Sequence, residues 1–180
     1  MKVIFLDVDG VLNSSEHRRR MLRQGDYSIL LEPHHLDLLR ELVNASGASL
    51  VLISSWRKYW TKEGSIDSAG KRLEEALHQV GLSIYEKTPV LRDGTRSQEI
   101  EQWMKCHTYI DEYVILDDND FLWSKKLRPH WICCPSDTGI TTDLIKVALD
   151  VLSGNHLIPQ ETRDRTHIVQ RLFNYFRTRR

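Results

Sequence analysis

Two short apolar runs end in acids: residues 2–6 lead into Asp7-Val8-Asp9, and residues 113–116 lead into Asp117-Asp118. In a parallel α/β sheet, ligands gather at the carboxyl ends of strands. Two acidic turns at two such ends converge on one crevice. Carboxylates held that close repel one another unless a cation lies between them, and a hard set of oxygen donors favours Mg²⁺. Asp7 and Asp9 before Gly10 are, taken alone, equally the form of an ordinary strand-end turn; the second acidic pair is what tips the reading towards chemistry. Ser54-Ser55, after another apolar run at 49–53, adds hydroxyl donors at a third strand end.

The elements that must position these residues alternate as strands and helices, which predicts an α/β fold with a mostly parallel sheet. Strands are expected at 2–6, 49–53, 82–85, 113–116 and 130–134. A helix begins at Pro33, carries Leu36, Leu39, Leu42 and Val43 at helical spacing, and stops at Gly47. A second covers about 69–80, with Leu73, Ala76, Leu77 and Val80 on one face before Gly81. Thr95 and Gln98 have the form of a capping box, opening a helix with Ile100, Trp103 and Met104. The last core helix is expected at 142–152. Residues 13–28 read as a polar stretch.

Asp7-Val8-Asp9-Gly10-Val11-Leu12 resembles the first motif of the haloacid dehalogenase (HAD) superfamily, an apolar strand followed by D-x-D-G-x-L. Ser54 after a second strand, Arg96 entering a helix, and Asp117-Asp118 match the remaining motifs in order, over about residues 2–152. More narrowly, Ser54-Ser55-Trp56-Arg57, Arg96-x-x-Glu99-Ile100-x-x-Trp103, Ile115-Leu116-Asp117-Asp118 and Gly139-Ile140-Thr141 resemble the small HAD-like domains related to RNA-repair phosphatases. The resemblance implies a Rossmannoid parallel sheet flanked by helices, with a minimal cap or none, and a Mg²⁺-dependent phosphatase.

It also implies a role for each residue. Asp7 is the expected nucleophile, forming an aspartyl-phosphate, and Asp9 the general acid and then base. Gly10 allows the tight turn after the strand. Mg²⁺ is expected on Asp7, the backbone carbonyl of Asp9 and Asp117, with Asp118 a further ligand or the holder of a metal-bound water. Ser54 donates to a phosphate oxygen, and Arg96 adds charge at the favourable end of its helix. The superfamily usually has Lys at that point, so Arg96 is a departure, and Lys87 and Arg92 are rivals for its role.

Around this set, Ser55 and Arg57 are candidate phosphate-binding residues, with Arg57 equally well read as a surface cation. Trp56, Tyr59 and Trp60 can stack on a flat group or form a packed rim. His17-Arg18-Arg19-Arg20 falls where HAD proteins place a flap; a solvated helix face is the ordinary reading, and phosphate steering the sharper one. His34-His35 lacks the partners of a zinc site and reads as structural.

The remaining sequence bounds these expectations. In 180 residues, 41% are hydrophobic and 28% charged, as in a globular domain, and 25 basic against 25 acidic residues exclude a global basic field. Cys106, Cys133 and Cys134 fit no disulfide or metal framework and read as buried thiols. No segment reaches the ~20 apolar residues of a membrane span, so a cytoplasmic protein without membrane contact is expected. Residues 1–158 are expected to form the HAD-like domain, and 159–180 an arginine-rich amphipathic helix packed on it. With little chain for a cap, the site stays open or closes by homo-oligomerisation. Openness suits a phosphate on a macromolecule, and a nucleotide or nucleic-acid end is the favoured substrate. The alternative is a catalytically silent HAD-fold module that binds nucleic acid or acts as an adaptor.

Overall fold

The computed structural model describes residues 1–25, 31–65 and 68–155. Five parallel strands form the sheet: β1 (Lys2–Leu6), β2 (Ser49–Leu52), β5 (Ile84–Lys87), β6 (Glu112–Asp117) and β7 (Trp131–Cys133), in the order β5-β2-β1-β6-β7. A separate two-stranded hairpin, β3 (Trp60–Thr61) and β4 (Gly64–Ser65), follows a 3-10 turn at Ser55–Tyr59. The helices are α1 (Ser15–Arg23), α2 (Pro33–Ser46), α3 (Ser68–Gln79), α4 (Arg96–Cys106) and α5 (Thr142–Leu152).

The apolar runs read from sequence are continuous because both faces of the sheet are covered. Alternate side chains point to opposite faces. Ile4, Leu6, Leu50, Leu52, Val114 and Leu116 pack with residues of α2, α3 and α5. Val3, Phe5, Val51, Tyr113 and Ile115 pack with Ile100 and Trp103 of α4 and with Trp123 and Trp131. The chain moves outward from β1 through β2 to β5, then returns to the other side of β1 for β6 and β7. That reversal puts the topological switch point beside β1 and β6, whose carboxyl ends carry Asp7 and Asp117.

Several expected boundaries shift. The third strand of the sheet lies at Ile84–Lys87 rather than 82–85, beyond a register irregularity between Leu50 and Val51 on its neighbour. The last strand is confined to Trp131–Cys133, with His130 ending a 3-10 turn. Part of the polar stretch forms α1, capped by Ser14, whose hydroxyl accepts from the His17 N–H. Its sole buried residue is His17, so it lacks the apolar stripe that would have marked it in the sequence. Among the described residues, α1 and the hairpin are the only additions to the layered frame near the site, and no cap domain is present. The expected tail helix at 159–180 lies outside the described residues. Cys134 is buried, as expected of all three thiols, but Cys106 is exposed and Cys133 half-buried; none forms a disulfide.

Candidate active site

Asp7 follows β1 directly, and its N–H continues the ladder by donating to the Leu116 carbonyl at 3.0 Å. The chain then turns at once: the N–H groups of Val11 and Leu12 both donate to the Val8 carbonyl, at 3.2 and 2.9 Å. Gly10 has φ +76°, and a Cβ there would stand 2.4 Å from Asp118 Oδ2. No other residue type meets both demands, so this glycine lets the first acidic turn close on the second. Gly139 has a matching role behind the site, where a Cβ would press on His35 and the Val11 carbonyl.

Asp7, Asp117 and Asp118 each bring a carboxylate oxygen within 4.8 Å of the others. Asp7 and Asp117 are buried, and Asp118 is partly so. Arg96, the first residue of α4, spans the two buried acids: one guanidinium nitrogen donates to Asp7 Oδ1 at 3.0 Å and to Asp117 Oδ2 at 2.7 Å. The Thr95–Gln98 capping box fixes the start of α4, and Phe121 lies 4.6 Å from the guanidinium carbon. Of the rivals for this position, Lys87 donates to the carbonyls of Arg57 and Trp60, and Arg92 is exposed. Neither lines the cavity.

One guanidinium does not neutralise three carboxylates. Burial, followed by repulsion from Asp7, pushes Asp117 up to about 7 despite Arg96. Asp118 is raised by the same two causes in the same order. Burial also raises Asp7, opposed chiefly by Arg96 and by a hydrogen bond from Ser54. An excess of negative charge on hard oxygen donors is the condition a divalent cation relieves, so the cluster fits Mg²⁺.

Asp9 stands apart from this cluster. Its carboxylate accepts from Asn13 Nδ2 at 2.8 Å and from the Trp56 indole N–H at 3.0 Å. Trp56 is therefore committed to Asp9 and packed against the core, while Trp60 is buried in the rim and Tyr59 remains exposed. Asn13 was not singled out in the sequence. Its position four residues after Asp9 is the signal, since its Oδ1 also accepts from Gly10 N–H and ties the turn together.

The structure brings Ser54 against Asp7 and leaves Ser55 on the cavity wall. It does not bring Arg57 there. That guanidinium is buried, 2.6 Å from Glu99 Oε2, and also donates to the carbonyls of Ile53 and Ser54. The cavity itself has a volume of ≈ 400 Å³, and its lining includes Asp7, Asp9, Gly10, Arg96 and Asp118.

The family model for the HAD domain in Swiss Army Knife RNA repair proteins matches residues 3–145. The chain belongs to this family. Comparison with curated proteins and with solved structures gave no match. The match spans every strand of the sheet from β1 to β7 and reaches the start of α5, so the matched part of this chain contains both acidic turns and Arg96. HAD proteins generally use Mg²⁺, in keeping with the charge excess at Asp7, Asp117 and Asp118. No helix among the described residues is long and apolar enough to cross a membrane.

Proposed function

We propose that this HAD domain is a Mg²⁺-dependent phosphohydrolase acting on terminal phosphomonoesters of nucleotides or nucleic acids, with Asp7 as nucleophile. The observation that carries the reading is the meeting of Asp7 with Asp117 and Asp118, with Arg96 bridging Asp7 and Asp117 beside the cavity that Asp7 and Asp118 line. The family supports the substrate class, and the absence of a cap domain among the described residues leaves room for a phosphate on a larger molecule.

In the first step, an Asp7 oxygen bonds to phosphorus as the ester P–O bond breaks, and Asp9 gives its proton to the departing oxygen. In the second, water attacks phosphorus and gives a proton to Asp9 as the bond to Asp7 breaks, releasing orthophosphate. Trp56 and Asn13 support this role by holding the Asp9 carboxylate at the cavity. Arg96 balances charge at Asp7 and is the proposed partner of a phosphate oxygen, with Ser54 and Ser55 as hydroxyl donors. Mg²⁺ on Asp7, the Asp9 carbonyl, Asp117 and Asp118 would screen the carboxylate from the incoming phosphate.

The test is hydrolysis of an aryl phosphate, nucleoside monophosphates, and RNA or DNA with terminal phosphates. Mg²⁺-dependent release of orthophosphate, lost in EDTA and in Asp7→Asn, is expected. Full activity in EDTA would overturn the metal assignment, and no release from any of them would overturn the hydrolase.

A further inference from the structure

Part of the cavity lining is made by groups that the proposed hydrolysis does not use: Ser14, Ser15 and Arg18 from the start of α1, and Ser136 from the loop after β7. The two segments form one surface, because the Ser15 N–H donates to the Ser136 carbonyl at 2.8 Å. The helix is fixed from beneath by the Ser14 cap and by buried His17, whose Nδ1 lies 3.7 Å from Glu32.

The three consecutive arginines on α1 differ in what they meet. Arg19 donates to the backbone carbonyl and hydroxyl of Ser15, and Arg20 reaches His17 and Glu32. Arg18 lines the cavity, and its guanidinium has no hydrogen-bond or ion-pair partner among the described residues. The cation paired with Asp7 and Asp117 is Arg96, whereas Arg18 shares the cavity with Asp7 and Asp118 but forms no ion pair with either. An unpaired guanidinium in the same cavity lining as Ser15 and Ser136 offers a forked set of donors suited to phosphate oxygens. It shares a cavity of ≈ 400 Å³ with Asp7, Asp9 and Asp118, a volume in the range of small-molecule sites.

We propose that Arg18, with Ser15 and Ser136, is a second phosphate subsite, so that the preferred substrate carries a second phosphate one nucleoside away from the phosphate being hydrolysed. This rests on the phosphohydrolase reading for the inner site. It narrows the substrate class to a terminal phosphomonoester whose own nucleoside is also linked to a second phosphate, as at the end of a nucleic-acid strand. A nucleoside 3′,5′-bisphosphate presents both groups in the smallest probe.

The test uses the full chain with Mg²⁺ and compares a nucleoside 3′,5′-bisphosphate with the 5′- and 3′-monophosphates of the same nucleoside. Calorimetry gives Kd, and orthophosphate release gives kcat and KM. The wild type is expected to bind the bisphosphate at least tenfold more tightly than either monophosphate. R18A should abolish that preference through KM and Kd, R18K should restore part of it, and S136A should weaken it. Circular dichroism of each variant checks that the fold is kept. An equal preference in wild type and R18A, or none in the wild type, overturns the subsite. Tight, Arg18-dependent binding without orthophosphate release would instead retain the subsite and reject the hydrolase. Release from all three probes without preference would do the reverse.

Discussion

Arg57 and Glu99 form a buried ion pair, 2.6 Å apart, that joins the turn after β2 to the first turns of α4. Glu99 Oε1 also accepts from the Leu91 N–H at 3.1 Å. The pair thus fixes α4, and with it Arg96, against the strand ends that hold Asp7 and Asp117. Removing one partner of a buried pair leaves an uncompensated charge, at a cost of about 3–5 kcal/mol. Glu99→Ala is expected to lower the urea midpoint by that amount of stability at an unchanged slope, measured by denaturant unfolding. A loss below about 1 kcal/mol would show that the pair does not hold the helix.

Arg96 meets two acids through one nitrogen, whereas Lys87 and Arg92 lie outside the cavity. Arg96→Ala is expected to cost roughly 2–4 kcal/mol of transition-state stabilisation, read from kcat/KM on an aryl phosphate. Arg96→Lys should recover part of it, because a single cation at this point balances Asp7. Normal kinetics in Arg96→Ala would assign the role elsewhere.

Trp56 was legible as a tryptophan beside the site, but not as a donor to Asp9. Trp56→Phe keeps the ring and removes the 3.0 Å indole hydrogen bond. A hydrogen bond to a charged group contributes about 1.5–3 kcal/mol, less at an exposed carboxylate. The expected result is a roughly tenfold fall in kcat with little change in KM. A selective rise in KM would instead favour stacking on substrate.

His35 is buried beside Gly139 with Glu32 and His34 as its charged or titratable neighbours. Burial holds its pKa below 6.5, against the attraction of Glu32. The folded protein therefore resists a proton that the unfolded chain takes up near 6.5. Stability from this group is complete above about pH 6.5 and declines as pH falls from there towards the lower folded pKa. Thermal unfolding of His35→Asn should show a shallower decline over that interval than the wild type. Parallel curves would contradict the assignment.

Where local pattern decides structure, the sequence was sufficient. The pleat of β1 and β6, the Thr95 capping box and the order of the acidic turns all depend on residues close in the chain, and all appear in the fold. Arg57 was ambiguous because its partner Glu99 is 42 residues away and no local spacing announces it. Helix α1 was legible only in part: residues 17–20 read as a solvated helix face, as found for 18–20, but the helix packs through a histidine and a serine cap, so no apolar stripe marked its bounds. The hairpin has strands of two residues each, too short for a period to register.

Phosphoryl transfer to Asp7 can be observed directly. Asp9→Asn, incubated with an aryl phosphate and Mg²⁺, retains the nucleophile and a leaving group that departs without an acid, but lacks the base for the second step. Acid quenching and peptide mass mapping should then find one added phosphoryl group on the peptide containing Asp7, absent in Asp7→Asn. Product release with Asp7 unmodified, or a phosphoryl group on another residue, would contradict the covalent account.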